Sequence, residues 1–142
     1  MTLFWQRWLT LWCVAVGLFG LVLYGAGYAA TRGPTTVLFG AFDNPYPMEP
    51  DRYLSFTTSL MGAVTFGWSV ALYTAFRAIW LLERESSASV WRILSVGVVI
   101  WCIIDSVASV SHGFALNAVS NTIFTVLFFV PVIASRALSR HR

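Results

Sequence analysis

Along this chain, charged residues fall into narrow bands that separate four long apolar runs, at 8–30, 53–76, 92–111 and 114–135. The first, second and fourth contain no charged residue, while the third opens on Arg92 and holds a single internal charge, Asp105. A helix crosses the hydrocarbon core of a bilayer with about 20 mostly apolar residues. Each run is long enough for one crossing. The pattern therefore predicts an all-α fold, a four-helix transmembrane bundle forming a single integral membrane domain over 1–142, with one sizeable outer loop at 31–52. The first run resembles a signal peptide with Ala29 at a cleavage position. Its apolar stretch is too long for that, and Trp8 and Trp12 are out of character, so it reads as an uncleaved span.

Composition supports the pattern. Of 142 residues, 58% are hydrophobic and 11% charged, with mean hydropathy +0.73. A soluble domain carries about 25% charged residues. The net charge is +3, and all nine basic residues are Arg. They lie between the apolar runs, which reads as topology signalling and not as a nucleic-acid footprint. Four spans put both termini on one side. Arg7, the loop with Arg77, Arg84 and Arg92, and the tail with Arg136, Arg140 and Arg142 share that side. The other side has Arg32 and Arg52, offset by Asp43, Glu49 and Asp51. The positive-inside rule makes the termini cytoplasmic. Trp5, Trp8, Trp80 and Trp91 then form an inner aromatic belt, and Tyr28, Tyr46 and Tyr53 part of an outer one. The stretch Asp43-Asn44-Pro45-Tyr46-Pro47 is turn chemistry, in a loop that is either a plain connector or a cap on the outer mouth. The two hairpins do not resemble each other, which speaks against an inverted-repeat transporter.

The second run carries a small residue at every fourth position: Ser55, Ser59, Ala63, Gly67, Ala71 and Ala75. Such a stripe lets another backbone approach closely within lipid. Ser59, Ala63, Gly67 and Ala71 are its centre. Gly17 and Gly20 in the first run offer a partner inside the chain, and a second copy is the alternative. Pro131 is expected to kink the last span.

The chemistry-bearing residues concentrate in the last two runs. Trp101, Asp105, Ser109 and His112 share one helix face, and Asn117, Asn121 and Thr125 another. A turn near His112-Gly113 makes the two helices antiparallel neighbours. At 1.5 Å per residue, Asp105 lies about 10 Å below the outer surface, nearly level with Asn121. A carboxyl at that depth costs roughly 2.5–3.5 kcal/mol on insertion scales and needs partners. No span holds an internal cation, so the candidates are Asn121, Ser109, the Trp101 indole and His112. Two readings stay open. A protonated Asp105 hydrogen-bonded to Asn121 locks two helices together. Alternatively, Asp105 is a proton-coupled or ligand-binding carboxyl open to the outside.

Several chemistries are disfavoured. A Ser109–His112–Asp105 triad fails because Asp105 and His112 are two turns apart, about 10 Å along the axis. One membrane-level His and one Asp are too few for a closed zinc site, with His141 on the opposite side. Cys13 and Cys102 form no CxxC pair, and no nucleotide loop or haem CxxCH is present. No metal or cofactor is expected.

Two stretches carry a resemblance: Gly62-Ala63-Val64-Thr65-Phe66-Gly67-Trp68, and the series Trp101, Asp105, Ser109, Gly113, Asn117, Asn121 followed by an apolar run to Pro131. Over residues 54–134 the chain resembles an uncharacterised family of small bacterial four-span membrane proteins, itself distantly similar to the DoxX-type four-helix proteins. The resemblance implies a four-helix bacterial membrane protein and brings no reaction. The expectation is a non-enzymatic accessory protein or a binder of lipid or another small molecule. Its partners are the bilayer, another copy or a membrane complex, with no nucleic acid. The alternatives are an oligomeric proton-coupled carrier using Asp105, or a redox component binding quinone near Trp101, Asp105 and Asn121.

Overall fold

In a computed structural model of the protein, residues 1–42 and 44–139 are described. Asp43, Arg140, His141 and Arg142 lie outside the described residues. The described chain is all-helical, in the order α1 (Leu3–Gly25), a 3-10 turn (Ala29–Thr31), α2 (Gly33–Ala41), α3 (Arg52–Ile79), α4 (Arg84–Ser111) and α5 (Ala115–Ala134). Helices α1, α3, α4 and α5 are each long and apolar enough to cross a membrane, as a multi-pass membrane protein requires.

The helix limits differ from the apolar runs where local chemistry intervenes. α1 starts five residues before Trp8, at Leu3, and stops at Gly25. Thr31 Oγ1 donates to the Gly25 carbonyl at 2.9 Å, and Arg32 Nε to the Ala26 carbonyl at 3.2 Å, so side chains complete the end that the helix leaves open. α4 begins at Arg84, well before the apolar run at Arg92, because polar residues such as Arg84, Glu85, Ser86 and Ser87 tolerate helix outside lipid. The connection expected at 31–52 contains a helix of its own. α2 opens with Pro34 in its first turn, where the missing N–H is no loss.

The chain divides into two compact units. The first comprises Met1–Trp12 with the chain from Tyr73 onward. Its core stacks Phe76, Trp91 and Phe128, all at 1% exposure or less, with Phe76–Trp91 ring centroids 5.3 Å apart. Trp91, expected in an aromatic belt, is thus a core residue. Trp8 is also drawn inward. Pro131 cannot donate to the Leu127 carbonyl one turn back, and the Trp8 indole N–H does so instead, at 2.9 Å. Trp12 donates likewise to the Phe124 carbonyl at 2.9 Å. Successive turns of α1 thus clasp the proline-bearing part of α5.

The second unit is Cys13–Leu72. Here α1 and α3 approach closely. A Cβ on Gly20 would lie 2.6 Å from Phe66 N and 2.8 Å from Gly62 O, and a Cβ on Gly62 would run into Tyr24 N. α3 is capped by Asp51, whose Oδ1 accepts the Leu54 N–H at 2.7 Å. The segment after α2 folds back on its own unit. Tyr46 is buried against Phe39, with its hydroxyl donating to Thr58 Oγ1 at 3.4 Å, and Arg32 Nη1 donates to Met48 O at 2.9 Å. Thr35, wholly buried, donates to Val22 O at 2.6 Å.

Candidate functional site

The α4–α5 hairpin is set by its turn. Gly113, at φ +87, takes the left-handed position just past α4. Its N–H donates to Val110 O at 3.1 Å and that of Phe114 to Ser109 O at 2.8 Å. This pair of bonds closes a helix end when a residue free to adopt positive φ follows it. The chain then reverses into α5, and residues counted equally from the turn face each other.

Asp105 and Asn121 meet in this way. Asn121 Nδ2 donates to Asp105 Oδ2 at 2.6 Å, and Asn117 Nδ2 reaches the same oxygen at 3.5 Å. Asn117 donates more closely to Ser109 Oγ, at 2.8 Å, and Ser109 Oγ donates to the Asp105 main-chain carbonyl at 2.7 Å. The four residues form one connected network across the two helices. Asn121 and Ser109 are buried, whereas Asp105 and Asn117 are half-buried. Bonds of amide donors to a carboxyl are the partners that a polar group at membrane depth requires.

His112, expected beside Asp105, is placed differently. His112 is exposed and turns back on its own helix end, with Nδ1 2.8 Å from Ala108 O and 3.2 Å from Ser111 Oγ. These partners lie within one turn, and they hold the ring at its own helix end. Trp101 is half-buried, one turn further from the loop than Asp105. Thr125 Oγ1 is buried without a hydrogen-bond partner. Among the described residues no group of three or more His, Cys, Asp or Glu is placed to hold a metal. Cys13 and Cys102 are free thiols.

The expected packing stripe on α3 divides. Ser59 Oγ donates to Tyr24 O at 3.0 Å and so belongs to the α1–α3 approach. Ala63, Gly67 and Ala71 are exposed, and a Cβ on Gly67 would meet nothing within 4 Å. The physical reason is rotation. Steps of four advance 400°, so a strict four-residue stripe drifts about 40° per step around the helix. The face that meets α1 runs instead through Ser55, Ser59, Gly62, Phe66 and Ser69, alternating steps of four and three. That spacing averages 3.5 and keeps one face on its neighbour.

Comparison with protein-family models, curated proteins and solved structures gives no match.

Proposed function

We propose that this is a non-enzymatic bacterial inner-membrane protein, with both termini in the cytoplasm, that acts as an accessory subunit or a binder of lipid or another small apolar molecule. The orientation rests on the arginine distribution. The observation that carries the reading is the Asp105 network. Its hydrogen bonds run from Asn121 to Asp105, from Asn117 to Ser109, and from Ser109 to the Asp105 carbonyl, and they join α4 to α5. Interhelical hydrogen bonds of this kind fix which helices pair within lipid. Likeness to small four-span bacterial proteins, carried by the spaced Asp and Asn residues, agrees with this.

Native mass spectrometry of protein gently extracted from its own membrane tests the reading. A stoichiometric partner chain or retained lipid is expected. Turnover of a substrate by the purified protein alone would overturn it.

One observation favours a second reading, a proton-coupled carrier. Asp105 is half-buried, and its hydrogen bonds all fall on Oδ2, leaving Oδ1 for a proton or ligand. Four spans are few for a monomeric carrier, so this reading requires an oligomer. Flux in proteoliposomes that is unchanged by Asp105→Asn would remove it.

A further inference from the structure

The first unit contains a cavity of about 360 Å³, distant in sequence from the Asp105 network, beside the loop that joins α3 to α4. Its polar lining comes from Gln6, Trp80, Arg84, Ser87, Ser135 and Arg136. Two of these are guanidinium groups, and every one of the six can donate a hydrogen bond. Glu83 and Glu85, the acidic residues adjoining Arg84, are exposed and do not line the cavity.

Three features indicate what it would hold. First, Arg84 and Arg136 both line the cavity, and no described carboxylate does. Second, Arg84 and Ser87 belong to the first turn of a 28-residue helix whose N-cap, Glu83, makes no side-chain cap bond. The uncapped N–H groups and the helix dipole favour an anion there.

Third, Arg136 is held at φ +52, a conformation that bulky residues rarely adopt. It occupies the position after α5 that Gly113 occupies after α4. The same pair of bonds closes both ends, here Arg136 N–H to Ile133 O and Ala137 N–H to Val132 O. Arg92 secures the segment beyond, donating from Nε and Nη2 to Leu138 O at 3.1 and 2.8 Å. An arginine is thus kept in a glycine's place at the cavity wall. Backbone strain of this sort is a pointer to function when a site adjoins it.

We propose that this cavity binds a phosphate group, with Arg84 and Arg136 as its cations. The inference rests on, and deepens, the lipid-binding reading, because the cavity lies beside the loop between two membrane-spanning helices, where headgroups are found. The phosphate is that of an anionic phospholipid or free phosphate, and the two are separable.

The test is native mass spectrometry of the purified full chain, titrated with phosphatidylglycerol, with diacylglycerol of the same acyl chains and with inorganic phosphate. Phosphatidylglycerol is expected to bind about tenfold or more tightly than diacylglycerol, the worth of one or more charge-assisted hydrogen bonds. Arg136→Gly and Arg84→Gln should each weaken it by about tenfold. Arg136→Gly suits the left-handed backbone, so it should keep or raise the thermal unfolding midpoint while binding falls. Displacement by inorganic phosphate identifies the phosphate alone as sufficient. Binding of the lipid without such displacement identifies the esterified headgroup.

Equal binding of phosphatidylglycerol and diacylglycerol, or unchanged phosphatidylglycerol binding in both folded variants, would overturn the proposal. Lipid retention that ignores both arginines would leave the lipid-binding reading standing without this site. Phosphate binding in a protein that retains no lipid would do the reverse.

Discussion

Two helix pairs in this protein are joined by different physics. In the second unit, α1 and α3 approach through absence: Gly20 and Gly62 have no side chains, and each backbone occupies the space where the other's Cβ would be. In the first unit, α4 and α5 are joined through presence, by Asn121 and Asn117 reaching Asp105 and Ser109. Lipid tails are as apolar as leucine, so burying apolar surface gives little advantage to either pair. Close van der Waals contact and hydrogen bonds are what remain, and the chain uses one in each place. The first depends on shape and tolerates no added atom. The second depends on a few polar atoms, and a substitute that keeps the bond should keep the pair.

Substitution can break this comparison most strongly at Gly62. Gly62→Leu drives a side chain into the backbone at Tyr24, which cannot move aside, and should cost about 3 kcal/mol or more. Gly67→Leu, five residues along the same helix with open space around it, should change stability little. Denaturant titration of both proteins in detergent reads the contrast. Equal losses would mean that the 59–62–66 face does not hold the pair.

Asp105→Leu comes next, with an expected loss of about 1–2 kcal/mol, since two asparagine amides lose their acceptor. Asp105→Asn should cost far less, because the amide oxygen still accepts. A full loss in Asp105→Asn would show that the carboxyl itself, and not its hydrogen bond, is needed for folding.

A smaller effect is expected where the proline of α5 borrows a donor. Trp8→Phe leaves the Leu127 carbonyl without its indole partner and should cost about 1 kcal/mol. In a Pro131→Ala background that carbonyl regains a helix N–H, so the same substitution should cost less. A double-mutant cycle with a coupling of about 0.5 kcal/mol or more supports the account, and a coupling of zero sinks it.

These cases show what was legible in the sequence. The four long helices followed from runs without charge, because the cost of a charge in hydrocarbon shapes composition over twenty residues at a time. The Asp105–Asn121 meeting followed from spacing about a glycine turn, since two antiparallel helices joined tightly have a fixed register. Asn117 was named as a member of the cluster, but its closer bond to Ser109 depends on side-chain reach that spacing does not give. Of the four-residue stripe on α3, Ser59 meets α1 while Ala63, Gly67 and Ala71 are exposed, because a regular pattern of small residues winds around the helix while the contact face does not. α2 was missed because nine residues are too short for periodicity to separate from a loop, although Gly33-Pro34 marks its start. The Trp8–Leu127 bond joins positions 119 residues apart and had no local signature beyond the proline. Arg136 in a glycine's conformation had none at all.

The central claim is that the Asp105 network serves to join two helices. The most direct measurement compares wild type and Asp105→Asn for two properties together: the thermal unfolding midpoint, and the partner chains and lipids retained in native mass spectrometry. The account predicts that both proteins share one midpoint and the same retained set. An Asp105→Asn protein that unfolds at the wild-type midpoint but has lost a bound molecule or partner would contradict it, and would make Asp105 a functional carboxyl.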